Sequence, residues 1–191
     1  MKTHLTRITR IGLCLILVIG AIPVTQAEPE SFISWLLTLE RRKGVKPVTD
    51  ESYNEECSAC HFAYQPGLLP EASWRKLLSR QALSRHFGEN AELDEKVRQH
   101  ILALAIENSA DKSYYKRSKK IMASLEDNEV PERISKIRYF RDKHEEVYEE
   151  VVKNSKKLKS MSLCDECHQK AQQGVFDDDT VVIPDYGRWT W

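Results

Sequence analysis

Cys57-Ser58-Ala59-Cys60-His61 is one of two stretches that decide how this sequence folds, and the other is Cys164-Asp165-Glu166-Cys167-His168. Each has two cysteines separated by two residues and followed at once by a histidine. This spacing is the attachment signature of c-type haem, because both thiols can form thioethers with one porphyrin while the histidine is brought to the iron. Two haem c groups are therefore predicted, with Cys57, Cys60, Cys164 and Cys167 as the thioether residues and His61 and His168 as the proximal iron ligands.

Other uses of paired cysteines fit the two motifs less well. A zinc site built from four thiolates would not need a histidine directly after each pair. Disulfides of the thioredoxin type normally accompany a β-α-β pattern, which neither motif has around it. Purely structural disulfides would not explain the repeated histidine. We therefore predict bound haem iron and no zinc.

The N-terminal residues have the features of an export signal. Lys2, Arg7 and Arg10 precede an apolar run over residues 11–24, and small residues form a cleavage site that ends at Ala27. The run is shorter than the roughly 20 apolar residues that a membrane-spanning helix needs. Cleavage of this segment is therefore favoured over its retention as a membrane anchor.

Three segments are expected along the chain. Residues 1–27 are predicted to be a signal peptide that is removed on export. Residues 28–55 are predicted to form an N-terminal amphipathic segment, and residues 56–191 the domain that binds both haems. Cys14 does not indicate a lipoprotein, because Leu13 before it is too large for a lipobox.

The charge of the chain argues against nucleic acid as a partner. The whole chain has 29 lysines and arginines and 29 aspartates and glutamates. Loss of the signal peptide removes three basic residues and no acidic ones, which leaves 26 against 29, a formal charge of −3. A nucleic-acid-binding domain would normally be clearly basic.

Apolar residues at helical spacing predict a mostly α fold. The expected helices cover residues 31–43, 70–87 with Pro70 as first residue, a stretch capped by Asn90 that extends past Leu104, 113–125, and 131–157 as the longest. The one candidate strand is 181–183. We expect a single helical domain with little or no sheet, which folds around two haems because its own apolar content is modest.

Each haem iron needs a second axial ligand if the protein is an electron carrier, and three histidines remain outside the motifs after residue 27. His144 lies within the apolar stripe of the last predicted helix, and His86 follows Trp74 at helical spacing, so both are expected to face inward. Histidine and methionine are common axial ligands of haem iron. We predict His86 and His144 as the distal ligands, with bis-His ligation of both irons.

Three other side chains are weaker candidates for the distal positions. His100 lies at the edge of its helical stripe, and Met122 lies in a lysine-rich helix. Met161 is only three residues before Cys164, which leaves little chain to reach the far face of that haem. We therefore prefer the two inward-facing histidines.

Sequence separation favours local pairing of the four predicted ligands. His86 follows His61 by 25 residues, and His144 precedes His168 by 24. In each case a helix can fold back across the neighbouring haem. Crossed pairing would satisfy both irons as well, so both arrangements stay open.

The motifs are accompanied by stretches typical of one known family, namely Tyr64, Pro66, Leu69-Pro70, Ser73-Trp74, His86-Phe87-Gly88-Glu89-Asn90-Ala91, Arg133-Ile134, Tyr139-Phe140, Lys143-His144, Ala171, Gly174-Val175-Phe176-Asp177 and Ile183-Pro184. With these residues the chain resembles the bacterial dihaem cytochromes c from Glu56 onward. The resemblance implies a periplasmic electron-transfer protein with low-spin haems, and it points to His86 and His144 as the distal ligands. It also implies redox partners such as a membrane b-type cytochrome or a small soluble haem protein.

Filled axial positions determine the expected activity. An iron bound by histidines on both faces has no free position for a substrate, so we expect outer-sphere electron transfer and no enzymatic activity. Potentials below those of His/Met cytochromes are expected, because a methionine ligand raises the potential. Two alternatives stay open: an electron-transfer subunit of a membrane-bound redox complex, and a small haem peroxidase or reductase with one open iron.

Overall fold

The fold is described by a computed structural model for residues 44–155, 157–158 and 160–189. Within these residues the α-helices are α1 (Glu51–Ser58), α2 (Glu71–Leu77), α3 (Arg80–Leu83), α4 (Glu95–Glu107), α5 (Lys116–Ala123), α6 (Arg138–Val147) and α7 (Cys164–Cys167). Short 3₁₀ turns cover Pro66–Leu68, Ala110–Lys112, Ile134–Lys136, Ala171–Gln173 and Asp178–Thr180. The prediction of a mostly α fold is confirmed.

The strand predicted near the C-terminus is present as half of a small hairpin. Strand β1 (Val182–Ile183) pairs antiparallel with β2 (Gly187–Arg188). Val182 lies opposite Arg188, and Ile183 lies opposite Gly187. This hairpin is the only sheet in the described part of the chain.

Two predictions fall on residues outside the described part, the signal peptide over 1–27 and the helix over 31–43. Among the described helices, none is long and apolar enough to cross a membrane.

The single helix predicted over residues 70–87 is wrong in its extent. Pro70 precedes α2 as its N-cap residue, and α2 ends before a second short helix, α3. The break occurs because the Ser79 side chain accepts a hydrogen bond from the backbone N–H of Ala82 (3.2 Å) and so caps a new helix. After α3 the chain turns tightly, and His86 lies in that turn instead of on a helix face.

The helix that we expected Asn90 to cap begins later. Asn90 accepts a hydrogen bond from the N–H of Glu92 (3.0 Å) and forms a turn, which is a common use of an asparagine side chain. Asp94 caps α4 instead and accepts from the N–H of Lys96 (2.9 Å). Ile101 lies on the inward face of α4 and is fully buried.

The helix predicted over residues 131–157 is shorter than expected, and α4 is the longest α-helix among the described residues. Ile137 is extended and completely buried, so α6 begins only after it has packed into the core. Beyond Val147 the helix widens into a π-helical turn over Tyr148–Val152. The helix predicted over 113–125 is confirmed as α5, slightly shorter at both ends.

The core of the described residues has two apolar clusters. The larger one includes side chains from α1, α2 and α4 and from the segment before α1, such as Tyr53 on α1 and Val45 before it. The smaller one joins α6 and its π-helical turn to the C-terminal hairpin through Val151 and Ile183. Residues 44–55 thus pack with the residues that follow, and the predicted boundary between 55 and 56 stays a prediction.

Candidate haem sites

The first cysteine motif begins in the last turn of α1. Asp50 caps this helix, accepting the backbone N–H of Tyr53 at 2.8 Å, and Cys57 lies half-buried two turns later. Burial raises the pKa of the Cys57 thiol to about 12, and the carboxylate of Glu56 adds to this. Cys60 is exposed, and neither thiol is in a disulfide. Both thiols are therefore free to form thioethers.

The second motif forms α7 itself. Cys164 and Cys167 are both half-buried and outside any disulfide. Burial raises the pKa of Cys164 to about 12, with a further contribution from Asp165, and burial also raises the pKa of Cys167. The two motifs thus present the same chemistry in different local structures.

Each motif histidine faces a second histidine ring. The ring centroids of His61 and His86 are 6.3 Å apart, and those of His144 and His168 are 6.0 Å apart. An imidazole nitrogen lies about 1 Å from its ring centroid and a metal–imidazole bond is about 2 Å long, so two ligands on opposite sides of one metal hold their centroids about 6 Å apart. Both pairs have the spacing of axial ligands on a shared iron.

Hydrogen bonds at Nδ1 orient one ring in each pair. Nδ1 of His61 lies 2.8 Å from the carbonyl oxygen of Phe62, and Nδ1 of His144 lies 2.8 Å from that of Phe140. Because a carbonyl oxygen only accepts, a neutral imidazole in this position has its proton on Nδ1 and its lone pair on Nε2. Such second contacts fix the tautomer that metal-binding histidines require.

The two distal candidates sit in different surroundings. His144 projects from α6 and stacks on Phe140, with centroids 3.9 Å apart and planes 13° apart. His86 is half-buried in the turn after α3, where Phe87 has φ +54° and stacks under the guanidinium of Arg133 at 3.9 Å. Burial lowers the pKa of His86, and the charges of His61 and Arg133 lower it further.

A cleft surrounds the pair His144–His168. It encloses about 1080 Å³ of atom-free space, part of which is open to solvent. Its walls are mainly apolar, with Leu68, Ile121, Ile134, Ile137, Val147, Leu163, Phe176 and Ile183 among the lining residues. Phe176 also packs against the His168 ring, with a centroid distance of 5.4 Å. This size and lining suit a large apolar group.

One cation lies beside the second pair. Arg117 donates hydrogen bonds to the carbonyl oxygen of Phe176 (2.6 Å) and to the hydroxyl of Tyr139 (3.2 Å). Burial lowers the pKa of His168 to about 4, and the charges of His144 and Arg117 also lower it. Burial likewise lowers the pKa of His144. Both imidazoles are therefore neutral near pH 7, as metal ligands must be.

The structure thus brings the predicted residues together as local pairs, and not as crossed pairs. His100 lies elsewhere, half-exposed and 2.9 Å from a carboxylate oxygen of Asp50. Met161 lines the cleft, but the ring that faces His168 is that of His144. The roles of all these side chains as haem ligands stay predictions.

Sequence reasoning overlooked two side chains that contact the candidate sites. Tyr64 packs on the ring of His61 with centroids 5.0 Å apart, and Arg117 lies on the same lysine-rich helix as Met122. Tyr64 is among the family-typical residues, so it could have been singled out. Arg117 gave no local signal, because its partners are far away in the sequence.

These observations agree with similarity to known proteins. A sequence profile of the family described as dihaem cytochrome c matches residues 53–176. The chain belongs to the dihaem cytochrome c family. It is 34% identical to a dihaem cytochrome c from Shewanella baltica OS155, over 73% of this chain and 97% of that one, with a TM-score of 0.60. It is 40% identical to the dihaem cytochrome c of Rhodobacter sphaeroides, over 69% of this chain and 100% of that one, with a TM-score of 0.58. A search of curated proteins finds no significant match.

As a dihaem cytochrome c, the chain is an electron-transfer haem protein whose cofactors are two haem c groups. The residues present fit these groups. Each motif offers two thiols outside disulfides, and each motif histidine faces another at the spacing of axial ligands.

Proposed function

We propose that this dihaem cytochrome c is a periplasmic electron carrier with two low-spin haems, each held by two histidines. Cys57 and Cys60 bind the first haem, with His61 and His86 as its axial ligands. The second haem is bound by Cys164 and Cys167, with His168 and His144 on its iron. The observation that supports this best is the pair of histidine ring separations, 6.3 and 6.0 Å.

The side chains around each pair favour electron transfer over substrate chemistry. When bound, each haem iron supplies a one-electron change between ferric and ferrous states. A histidine on each face leaves that iron no open position. His144 is positioned by its hydrogen bond to Phe140 and by the stacked ring, so the second pair is held in place by protein contacts.

The proposal also includes export of the protein. We propose that residues 1–27 act as a cleaved signal peptide and that the mature protein, from Glu28, receives its haems in the periplasm. The composition of residues 1–27, a basic start followed by an apolar run and small residues, supports this. Redox proteins such as a membrane b-type cytochrome or a small soluble haem protein are the proposed partners.

The proposal is tested by haem content and by carbon monoxide binding. The protein is expressed in a host that attaches c-type haem, and its pyridine haemochrome spectrum is measured together with protein concentration. We expect two thioether-linked haems per chain and little binding of carbon monoxide to the reduced protein. Fewer than two haems would contradict the cofactor assignment, and stoichiometric carbon monoxide binding would favour the enzyme alternative.

A further inference from the structure

Two consecutive residues just after the first motif make contacts with both ends of the second motif. Tyr64 and Gln65 follow His61 by three and four residues. Their side chains reach Ser162, which precedes Cys164, and Gln172, which follows His168. These contacts span 98 and 107 residues of sequence and join the segments that flank the two motifs. We call Tyr64 and Gln65 the inter-motif clasp.

Tyr64 forms the first half of the clasp. Its ring packs on His61 and on Phe62, with centroids 5.0 and 4.9 Å apart, and its hydroxyl donates to the carbonyl oxygen of Ser162 at 2.5 Å. One side chain therefore contacts a ligand of the first site and the chain just before the second.

Gln65 forms the second half. Its side chain is completely buried, and its amide nitrogen donates to the carbonyl oxygen of Gln172 at 2.8 Å. Its amide oxygen accepts from the backbone N–H of Val48 at 2.7 Å. Because both polar ends are satisfied without water, the amide is held in one orientation.

The clasp is also anchored to α1, the helix that carries Cys57. The hydroxyl of Tyr53, one turn before Cys57 on α1, donates to the backbone carbonyl of Tyr64 at 2.5 Å, and Tyr53 is almost completely buried. Hydrogen bonds therefore run from α1 through Tyr64 to the chain entering α7. Fixed contacts of this kind hold reacting groups in one geometry.

We propose that Tyr64 and Gln65 are positioning residues that fix the second haem-attachment motif relative to the first and thereby set the rate of electron transfer between the two haems. The inference rests on the proposed function, since it requires two haems that exchange electrons. The clasp acts through the attachment motifs and touches no reacting atom, so its loss should leave the axial ligands in place.

The test compares holoproteins carrying Tyr64→Phe or Gln65→Met with wild type. Tyr64→Phe keeps the ring on His61 and removes only the donor to Ser162. Gln65→Met keeps a side chain of similar length and removes the donor to Gln172. Pulsed EPR of the oxidised protein measures the distribution of iron–iron distances, and absorbance after rapid one-electron reduction measures equilibration between the haems.

For both variants we expect a broader or shifted distance distribution and several-fold slower equilibration, with low-spin absorption spectra unchanged. Tyr186→Phe is the matched control, because it removes the same hydroxyl group from a tyrosine that is exposed in the turn of the C-terminal hairpin. It should keep the wild-type distance distribution and equilibration rate.

Three results would overturn parts of this account separately. Wild-type distances and rates in both variants would overturn the clasp while leaving the proposed function intact. A high-spin haem in Tyr64→Phe would show that Tyr64 serves the His61 ligand alone, and it would also overturn the clasp. Wild-type protein without two low-spin irons would overturn the proposed function and the inference that rests on it.

Discussion

At the scale of single residues, the proposed ligation by four facing histidines determines what each iron could do. His61 and His168 follow their cysteines directly, so the haem-attachment signature predicts them. His86 and His144 could be selected from the sequence because few histidines remain, and the structure places each beside a motif histidine. Their contrasting surroundings, a turn and a helix, depend on the fold and were not evident from the sequence.

Replacing a distal histidine by methionine should shift one potential at a time. His86→Met and His144→Met should each raise the potential of one haem by on the order of 0.1 V, because a thioether ligand favours the ferrous state. Spectroelectrochemical titration resolves the two potentials. The control is His100→Met, whose histidine is half-exposed and paired with Asp50, and it should change neither potential. A distal variant with both potentials unchanged would contradict the ligand assignment.

Arg117 should raise the potential of the second haem. Its positive charge lies close enough to lower the pKa of both His144 and His168, and a nearby cation favours the less positive ferrous state. Arg117→Gln should therefore lower one of the two potentials, by on the order of tens of millivolts, as measured by the same titration. The control Lys116→Gln removes an exposed charge from the same helix and should have a smaller effect. A potential that rises in Arg117→Gln would contradict this interpretation.

At the scale of elements, the cap of α1 should matter because this helix carries Cys57. Burial opposes ionisation of Asp50, but hydrogen bonds from the N–H of Tyr53 and from His100 hold its pKa below the usual value. A carboxylate with a lowered folded-state pKa stabilises the fold above its unfolded pKa, about 3.9, and this contribution is lost as the pH falls through the folded-state pKa.

Asp50→Ala should lower the free energy of unfolding by about 1 kcal/mol at neutral pH, the typical value of an N-cap. The difference from wild type should shrink as the pH falls below about 4 and through the lower folded-state pKa, where the wild-type carboxylate becomes protonated. Denaturant unfolding at several pH values measures both effects. Asp127→Ala is the control, because Asp127 is exposed in a turn outside any helix, and it should cost less than about 0.5 kcal/mol. Equal losses of unfolding free energy in the two variants at neutral pH would contradict a stabilising role for Asp50 as the N-cap of α1.

Gly174, six residues after His168, allows its chain segment to lie close to the segment that contains Val45. It has φ +73°, and a Cβ there would lie 2.3 Å from the carbonyl oxygen of Val45, whose own N–H donates to the Gly174 carbonyl at 2.9 Å. Gly174→Ala should therefore lower the free energy of unfolding by more than about 2 kcal/mol. Two effects add there, the strain of a left-handed backbone and the clash of the new Cβ with the Val45 carbonyl. Gly187→Ala is the control, with φ +88° but open space around its Cβ, and should cost only about 1 kcal/mol. Chemical denaturation measures the loss of unfolding free energy in both variants. Similar losses would show that the close approach of Gly174 to Val45 is unimportant.

Sequence patterns predicted which elements exist better than where they begin and end. Helical spacing located α5 and the buried face of α4, since that pattern is local. It missed the break before Ser79 and the late start of α6, because a side-chain cap and the burial of Ile137 decided these boundaries. Local composition does not reveal which of two nearby residues acts as the N-cap of a helix, as Asn90 and Asp94 illustrate at α4.

At the scale of the whole molecule, the arrangement of the two sites depends on contacts between distant segments. Sequence separation favoured local pairing of the histidines but left crossed pairing open. The contacts of Tyr64 with Ser162 and of Gln65 with Gln172 were not predictable, because they depend on how the two halves of the chain pack. The chemistry of each haem site can therefore be read from the sequence, whereas the relation between the sites requires the fold.

Low-temperature EPR of the fully oxidised holoprotein, with spin quantification against protein concentration, tests the central claim most directly. If His61 with His86 and His144 with His168 hold the two irons, the spectrum should contain only low-spin ferric signals that integrate to two spins per chain. A high-spin ferric signal accounting for one iron per chain would mean that one of the two histidine pairs does not ligate its haem.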